Sequence, residues 1–422
     1  MSRATAQHVA TPHRRTSLVA TSTMLGAAST AQAAANTLAA LWATRVLGPA
    51  PRGVMVVALT IATTAALLGG AGSGSAYRSE LASAHGAART RLAAGYAAIV
   101  VAGSGAAAVL AVVASLASAG AIASELASTP LLAGVAVSTA VQSVGALTTE
   151  AWFADGRFRQ AGGWAAGSAA GGLAGLMVAA AAGPTPATML IGQAAGMLPV
   201  TAASVNRLLR TGALAAPRLG RVGRLLRRGL PALGFSVGLT VALRADRYLL
   251  GVIAGPAAIT VYSLAATLGE IARTIPQAIG QVFSRRVAER TEATPRDAAL
   301  TAMVAAAVTA LPVGVVSWYA IPSFFGDDLA AARNYLLLML LAELLFTPFT
   351  VAAKGLVGGG WTGTVGLIGC LGSAVAIGAF LALARPFGVW GACAASCLTY
   401  TTLSVLAYGN VRRLLARRAA GA

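Results

Sequence analysis

About twelve apolar stretches, each roughly 20 to 28 residues long, follow one another along the chain, and short arginine-bearing loops separate them. A helix needs ~20 residues to cross the hydrocarbon core of a bilayer, and inside that core backbone groups must be satisfied within the segment. The rhythm predicts an all-α integral membrane protein with spans at 18–46, 53–76, 92–118, 130–152, 162–182, 187–208, 229–254, 257–284, 298–321, 333–356, 362–384 and 388–411. The first stretch runs unbroken from Leu18 to Leu47, well beyond the apolar segment of a cleaved signal peptide, so it reads as a span.

The longest break, 209–228, is rich in arginine and divides the spans into two sets of six. The predicted organisation is a cytoplasmic tail (1–17), an N-terminal six-helix lobe (18–208), a cytoplasmic linker (209–228), a C-terminal six-helix lobe (229–411) and a basic tail (412–422). Gly48-Pro49-Ala50 reappears as Gly255-Pro256-Ala257, an offset of 207, with Ala58 and Ala265 in register behind them. Because six is even, both lobes enter the membrane in the same orientation. They are then related by a pseudo-two-fold axis along the membrane normal, with a site between them.

Hydrophobic residues make up 57% of the 422 and charged ones 10%, yet the formal charge is +19. Counted loop by loop, 24 basic residues fall on the side of the N-terminus and four (Arg45, Arg52, Arg333, Arg385) on the other. By the positive-inside rule both termini face the cytoplasm, the expected setting being a bacterial cytoplasmic membrane. The basic surplus thus reports topology and contact with anionic lipids at the cytoplasmic face, not a nucleic-acid partner. Cys370, Cys393 and Cys397 lie in the last two spans, whereas His8, His13 and His85 lie in tails or loops, so no metal or other cofactor is expected. No Gly-Lys phosphate loop is present, which argues against ATP as a direct energy source.

The few deep charges carry the chemistry. Each ionisable group near the bilayer centre costs at least ~2.5–3.5 kcal/mol. Six lie well inside the spans: Arg244, Asp246 and Arg247 in the seventh, Glu270 and Arg273 in the eighth, and Glu343 in the tenth. In the eighth, Ser263, Thr267, Glu270, Arg273, Gln277, Gln281 and Ser284 recur every three or four residues and form one polar stripe, which Pro276 should bend. In the seventh, Ser236, Thr240, Arg244 and Arg247 share a face, while Asp246 points the other way with Leu239, Leu243 and Leu250. A milder stripe, Ser29, Gln32 and Asn36, marks the first span. One reading of these groups is interhelical ion pairing and hydrogen bonding. The other is a cavity in which arginines grip an anionic headgroup bidentately, amides face sugar hydroxyls, and Asp246, Glu270 or Glu343 couples transport to H+ or Na+.

Arg45-Val46-Leu47-Gly48-Pro49 followed by Arg52-Gly53 resembles the first outer loop of the Wzx-like polysaccharide-biosynthesis flippases, a branch of the multidrug/oligosaccharidyl-lipid/polysaccharide exporter superfamily. Gly229-Leu230-Pro231, Leu243 through Gly251, Gly255-Pro256 and Tyr262 through Ala265 look like that family's seventh and eighth helices, and Phe325 through Asp328 with Ala330-Ala331 like its ninth-to-tenth connection. The resemblance implies a two-lobed flippase that moves a prenyl-diphosphate-linked oligosaccharide to the outer leaflet by alternating access. Arg244, Asp246, Arg247, Glu270 and Arg273 then fall at the cavity or lobe interface. The charge-poor first lobe departs from the expectation that both lobes grip the diphosphate.

Three other functions compete. A drug or cation antiporter of the same superfamily calls for a carboxylate-dominated cavity, whereas the deep charges here are three arginines and three acids. A membrane glycosyltransferase or polymerase needs acids in a sizeable outer loop, and Asp327-Asp328 sits in a short one. A scaffold without transport activity would tolerate loss of the deep charges.

Overall fold

Glycine and proline set where the helices turn. Gly48 holds φ 74° and ψ −179°, and Gly255 holds φ 79° and ψ 176°, a backbone region open in practice to glycine alone. Each is followed by a proline that starts the next helix. The two Gly-Pro-Ala segments therefore share a conformation as well as a sequence, and each closes a helical hairpin.

The structure, a computed structural model, describes residues 13–81, 84–210, 219–289 and 294–420. The expected tail with Arg3 and His8, the linker segment 211–218 and Arg290 lie outside the described residues. The helices are α1 (His13–Leu47), α2 (Pro49–Leu81, interrupted at 70–72), α3 (Gly86–Ala119), α4 (Thr129–Ala154), α5 (Phe158–Ala182) and α6 (Pro186–Leu209) in the first lobe. The second lobe holds α7 (219–254), α8 (256–288), α9 (Pro295–Phe325), α10 (Ala332–Gly358), α11 (362–387) and α12 (389–420).

Nine stretches among the described residues are long and apolar enough to cross a membrane. Two of them fold back at Gly255 and Gly388, which makes eleven helices of that kind, and α1, 35 residues long, completes the twelve. The expected extents shift in places. α7 begins at residue 219, so part of the expected linker is helical, and α12 continues to 420. Within α8 the backbone tightens to a 3-10 turn at Glu270–Arg273. Pro276 has no N–H to give to the carbonyl of Ala272, so that turn sits where the α-helical ladder is broken.

Packing follows the logic of a lipid-facing protein. α9 turns Ala299, Ala302, Ala306 and Ala310 inward and Val308, Leu311, Val316 and Tyr319 outward. Small residues let helices approach, and large apolar ones meet acyl chains. The α5–α6 pair shows the same principle at its limit. A Cβ built on Gly171 would lie 2.4 Å from the Gly196 carbonyl oxygen, and one on Gly175 2.1 Å from that of Gly192. Each helix thus contributes a glycine pair spaced by four residues, and the two backbones touch.

The lobes meet about a pseudo-two-fold axis. A Cβ on Gly53 would sit 1.9 Å from the Pro256 carbonyl oxygen, and Thr260 Oγ1 donates to the Pro49 carbonyl at 2.5 Å. With the 207-residue offset, Gly53 corresponds to Thr260 and Pro49 to Pro256. The contact is therefore reciprocal, as between two copies around a two-fold axis.

The α2–α7 seam stays closed to the arginine-rich end. There Gly72 packs against Gly229, Glu80 pairs with Arg228 at 2.8 Å, and Arg221 donates to the Ala88 carbonyl at 3.1 Å. The symmetry-related α1–α8 side differs. α1 meets the second lobe near its far end, where Arg45 donates to the Phe324 carbonyl and stacks over that ring at 5.1 Å. Its described residues make no sustained contact with 274–288.

Candidate functional site

Between the lobes lies a cavity of about 1430 Å³ lined by α1, α2, α4, α5, α6, α7 and α8. Its lining runs from Ala43, Arg52 and Arg247 beneath the Gly53–Pro256 contact to Glu150, Phe153 and Ser204 towards the arginine-rich end. The second-lobe wall is charged. Arg244 and Arg247 lie one turn apart on α7 and face α8, where the 3-10 turn presents Glu270 and Arg273. Glu270 Oε1 stands 3.8 Å from Arg244 Nη1 and 3.7 Å from Arg247 Nη2. Those are ion-pair distances too long for hydrogen bonds. One carboxylate is thus shared loosely by two guanidiniums, and Arg247 Nε is buried with no partner.

Arg52 joins this group from the first lobe. Sequence reasoning put it in an outer loop, but α2 begins at Pro49, so Arg52 falls in its first turn and points inward, 5% exposed. Its Nε donates to Thr44 Oγ1 at 3.2 Å across the Gly48 hairpin, and its Nη1 has no partner. Around the cavity's closed end, three guanidiniums (Arg52, Arg244, Arg247) therefore face a single carboxylate, Glu270. The first lobe is not without a cavity charge after all.

Arg273 is spent differently. Its Nε and Nη2 donate to Glu343 Oε2 and Oε1 at 2.8 and 2.5 Å, a bidentate pair, with Phe346 and Tyr400 rings 4.5 and 5.8 Å from the guanidinium carbon. Glu343 is 2% exposed and absent from the lining. Asp246 is likewise buried inside the second lobe. It accepts from Tyr262 Oη at 2.7 Å, which in turn lies 2.8 Å from Ser396 Oγ. Of the three acids expected as coupling groups, Asp246 and Glu343 therefore stand behind the cavity wall, and Glu270 faces it.

Of the remaining expected residues, Gln32, Asn36 and Gln277 line the cavity, together with Ser29 and Thr240. Gln281 lies a turn beyond, exposed and outside the lining. Leu239 and Leu243, expected beside Asp246 on the far face of α7, border the cavity instead.

The first-lobe wall was overlooked in the sequence. It is uncharged on α5 and α6, where Trp164, Ser168, Gln193 and Thr201 line the cavity. The polar atoms Trp164 Nε1, Ser168 Oγ, Gln193 Oε1 and Thr201 Oγ1 are all buried without a partner. The signal was there as spacing: Trp164 and Ser168 are four residues apart, and Gln193, Met197, Thr201 and Ser204 form one stripe. On α2, Arg52, Thr60, Thr63 and Thr64 form another.

No family model matches the chain, and no curated protein matches it. Solved structures do. The lipid II flippase MurJ in an inward closed conformation superposes with a TM-score of 0.69 at 14% identity, covering 91% of this chain and 87% of that one. An inward-facing multidrug resistance MATE family transporter of the MOP superfamily gives 0.65 at 14% identity, over 92% and 95%. The MATE multidrug transporter DinF-BH gives 0.60 at 15% identity, over 99% and 98%. The chain has the two-lobed, twelve-helix fold that these transporters share.

Proposed function

We propose that this protein is a flippase that carries a prenyl-diphosphate-linked oligosaccharide across the cytoplasmic membrane by alternating access. The observation that carries the reading is the arginine group at the closed end of the cavity. Arg52, Arg244 and Arg247 outnumber the one carboxylate among them, and two of the three keep a buried nitrogen without a partner. Guanidiniums with free donors suit phosphate oxygens, which accept paired N–H bonds. The cavity, at about 1430 Å³, also exceeds the ~300–1,000 Å³ usual for a drug-sized ligand.

With the arginine-rich end in the cytoplasm, the cavity faces that side and the Gly53–Pro256 contact closes the outer one. The open α1–α8 side leaves room for a prenyl tail to stay in lipid while the headgroup enters. Transport draws on an ion gradient or the membrane potential, the latter worth ~2.3 kcal/mol per charge per 100 mV. Glu270 is the coupling candidate in contact with the cavity. Asp246 and Glu343 act only if a second conformation opens the packing around them.

An exporter of cationic drugs is the competing reading, favoured by the exposure of Glu270, whose side chain is 36% accessible. Reconstituted vesicles separate the two. A fluorescent prenyl-diphosphate disaccharide should cross in vesicles bearing the wild-type chain and fail to cross with Arg244→Ala/Arg247→Ala. Equal crossing by that variant would sink the anionic-headgroup reading.

A further inference from the structure

Ten buried side-chain nitrogen or oxygen atoms among the described residues lack a hydrogen-bond partner, and six of them belong to residues that line the cavity between the lobes. Two are on Arg52 and Arg247. The other four are on Trp164 and Ser168 of α5 and on Gln193 and Thr201 of α6, with Thr201 Oγ1 beside Gly145 of α4. Buried polar atoms in native proteins are almost always paired, so a cluster of unpaired ones at a cavity marks a place that something else completes.

The platform beneath them is rigid. The backbones of α5 and α6 touch at Gly171–Gly196 and Gly175–Gly192, and the same packing sets Gln193 and Met197 beside Gly172 and Val200 beside Gly167. Ser168 and Thr201 directly follow Gly167 and Val200 in the chain, so this contact fixes their backbones too. Trp152 Nε1, by contrast, donates to Ser204 Oγ at 2.8 Å, so the neighbouring part of this wall is already satisfied.

We propose that this first-lobe wall is a subsite for an uncharged sugar, distinct from the arginine group and filled by the residue next to the diphosphate. The inference rests on the flippase reading above. No charged residue of α5 or α6 lines the cavity, so the wall has no charge to pair with a phosphate, a uronate or an amine. It offers an indole face with an N–H, two hydroxyls and an amide. A neutral pyranose presents the matching set: hydroxyls that both donate and accept, and an apolar ring face that lies flat on an aromatic. In this state the four polar atoms are buried, so pairing them with a ligand requires a turn about side-chain bonds towards the cavity. Gln32 and Asn36 of α1, across the cavity, extend the same uncharged surface.

The test compares two probes on the purified full chain in detergent by titration calorimetry: farnesyl diphosphate, and farnesyl diphosphate carrying one N-acetylglucosamine. The wild type should bind the glycosylated probe roughly tenfold more tightly, the gain expected from a few neutral hydrogen bonds. Trp164→Leu/Ser168→Ala/Gln193→Leu should remove that advantage and leave affinity for the bare probe unchanged. Ser168→Ala and Gln193→Leu delete unpaired polar atoms at little cost in packing, so the melting temperature of that pair should hold, which separates a sugar contact from a structural role. Ser168→Ala/Gln193→Leu, which keeps the indole, serves as a second variant and should lose part of the advantage.

An advantage that survives in the triple variant overturns the subsite. So does an equal affinity of the wild type for both probes, and in either case Arg244-dependent binding of the bare probe leaves the flippase reading standing. If Arg244→Ala changes neither affinity, the arginine site fails, whatever the sugar advantage shows.

Discussion

The two walls of the cavity handle polarity in opposite ways. On the second-lobe side, charges have partners inside the protein. Glu343 neutralises Arg273 bidentately, Tyr262 holds Asp246, and Glu270 is shared by Arg244 and Arg247. On the α5–α6 side of the first lobe the polar groups are uncharged, and several have no partner at all. A charge left unpaired in a lipid-embedded lobe is too costly to keep, so the charged wall is largely self-sufficient. A hydroxyl or amide costs less, so the uncharged wall can wait for a ligand. The difference separates what holds the lobe together from what is available to a substrate. Arg273 and Glu343 belong to the first class, and Arg52, Arg244 and the α5–α6 residues to the second.

That division can be broken at its structural end. Arg273→Ala leaves Glu343 as a buried, uncompensated carboxylate and should cost about 3–5 kcal/mol, read as a fall in melting temperature and in accumulated protein. Arg273→Met combined with Glu343→Leu should recover most of the loss, since a buried pair replaced by apolar groups is often neutral. A melting temperature unchanged in Arg273→Ala would mean that the pair is not structural. On the other wall, Gly196→Leu forces a side chain into the Gly171 carbonyl and should cost about 1–3 kcal/mol while abolishing transport. Gly163→Leu, on α5, meets open space and serves as the matched control, since it should leave both readings near wild type.

At the functional end, Arg244→Ala should weaken binding of a prenyl diphosphate by about 1.5–3 kcal/mol, roughly a ten- to hundredfold change, with insertion and melting unaffected. A stability loss as large as that of Arg273→Ala would erase the distinction between the two arginines. The smallest effect belongs to the seam. Arg228 is 62% accessible in its pair with Glu80, so Glu80→Gln should shift stability by no more than ~1 kcal/mol.

Much of this architecture is legible in the sequence because lipid enforces it. Span length, the count of twelve and the Gly48/Gly255 repeat all follow from constraints that act segment by segment. The repeat was legible as a recurrence of residues; that both glycines hold the same positive-φ conformation is a finding of the structure. The charged stripe on α8 was visible because each charge in a span is an exception. Arg52 was missed because a residue three positions after Pro49 reads equally well as a loop or as a first turn, and the choice depends on where the other lobe stands. The partner of Arg273 was open for the same reason: three arginines and three acids lie within the spans, and the sequence does not say which of them meet. The first-lobe wall was missed because Trp, Ser, Gln and Thr are unexceptional in a helix one at a time. Their significance lies in being unpaired, which is a property of packing.

The orientation has its own check. Gly220 is exposed on α7 with open space around it, so Gly220→Cys in a chain lacking the three native cysteines should resist an outside-only thiol label. Labelling there would invert the topology and with it the direction of transport.

The most direct test of the central claim is a mass-spectrometric census of prenyl-linked sugars in membranes after depletion of the protein, with wild type or Arg244→Ala/Arg247→Ala supplied in trans. The account predicts the build-up of one discrete lipid-linked oligosaccharide, cleared by the wild type and not by the variant. An unchanged lipid profile together with new sensitivity to cationic drugs would contradict it and make the cavity a drug site.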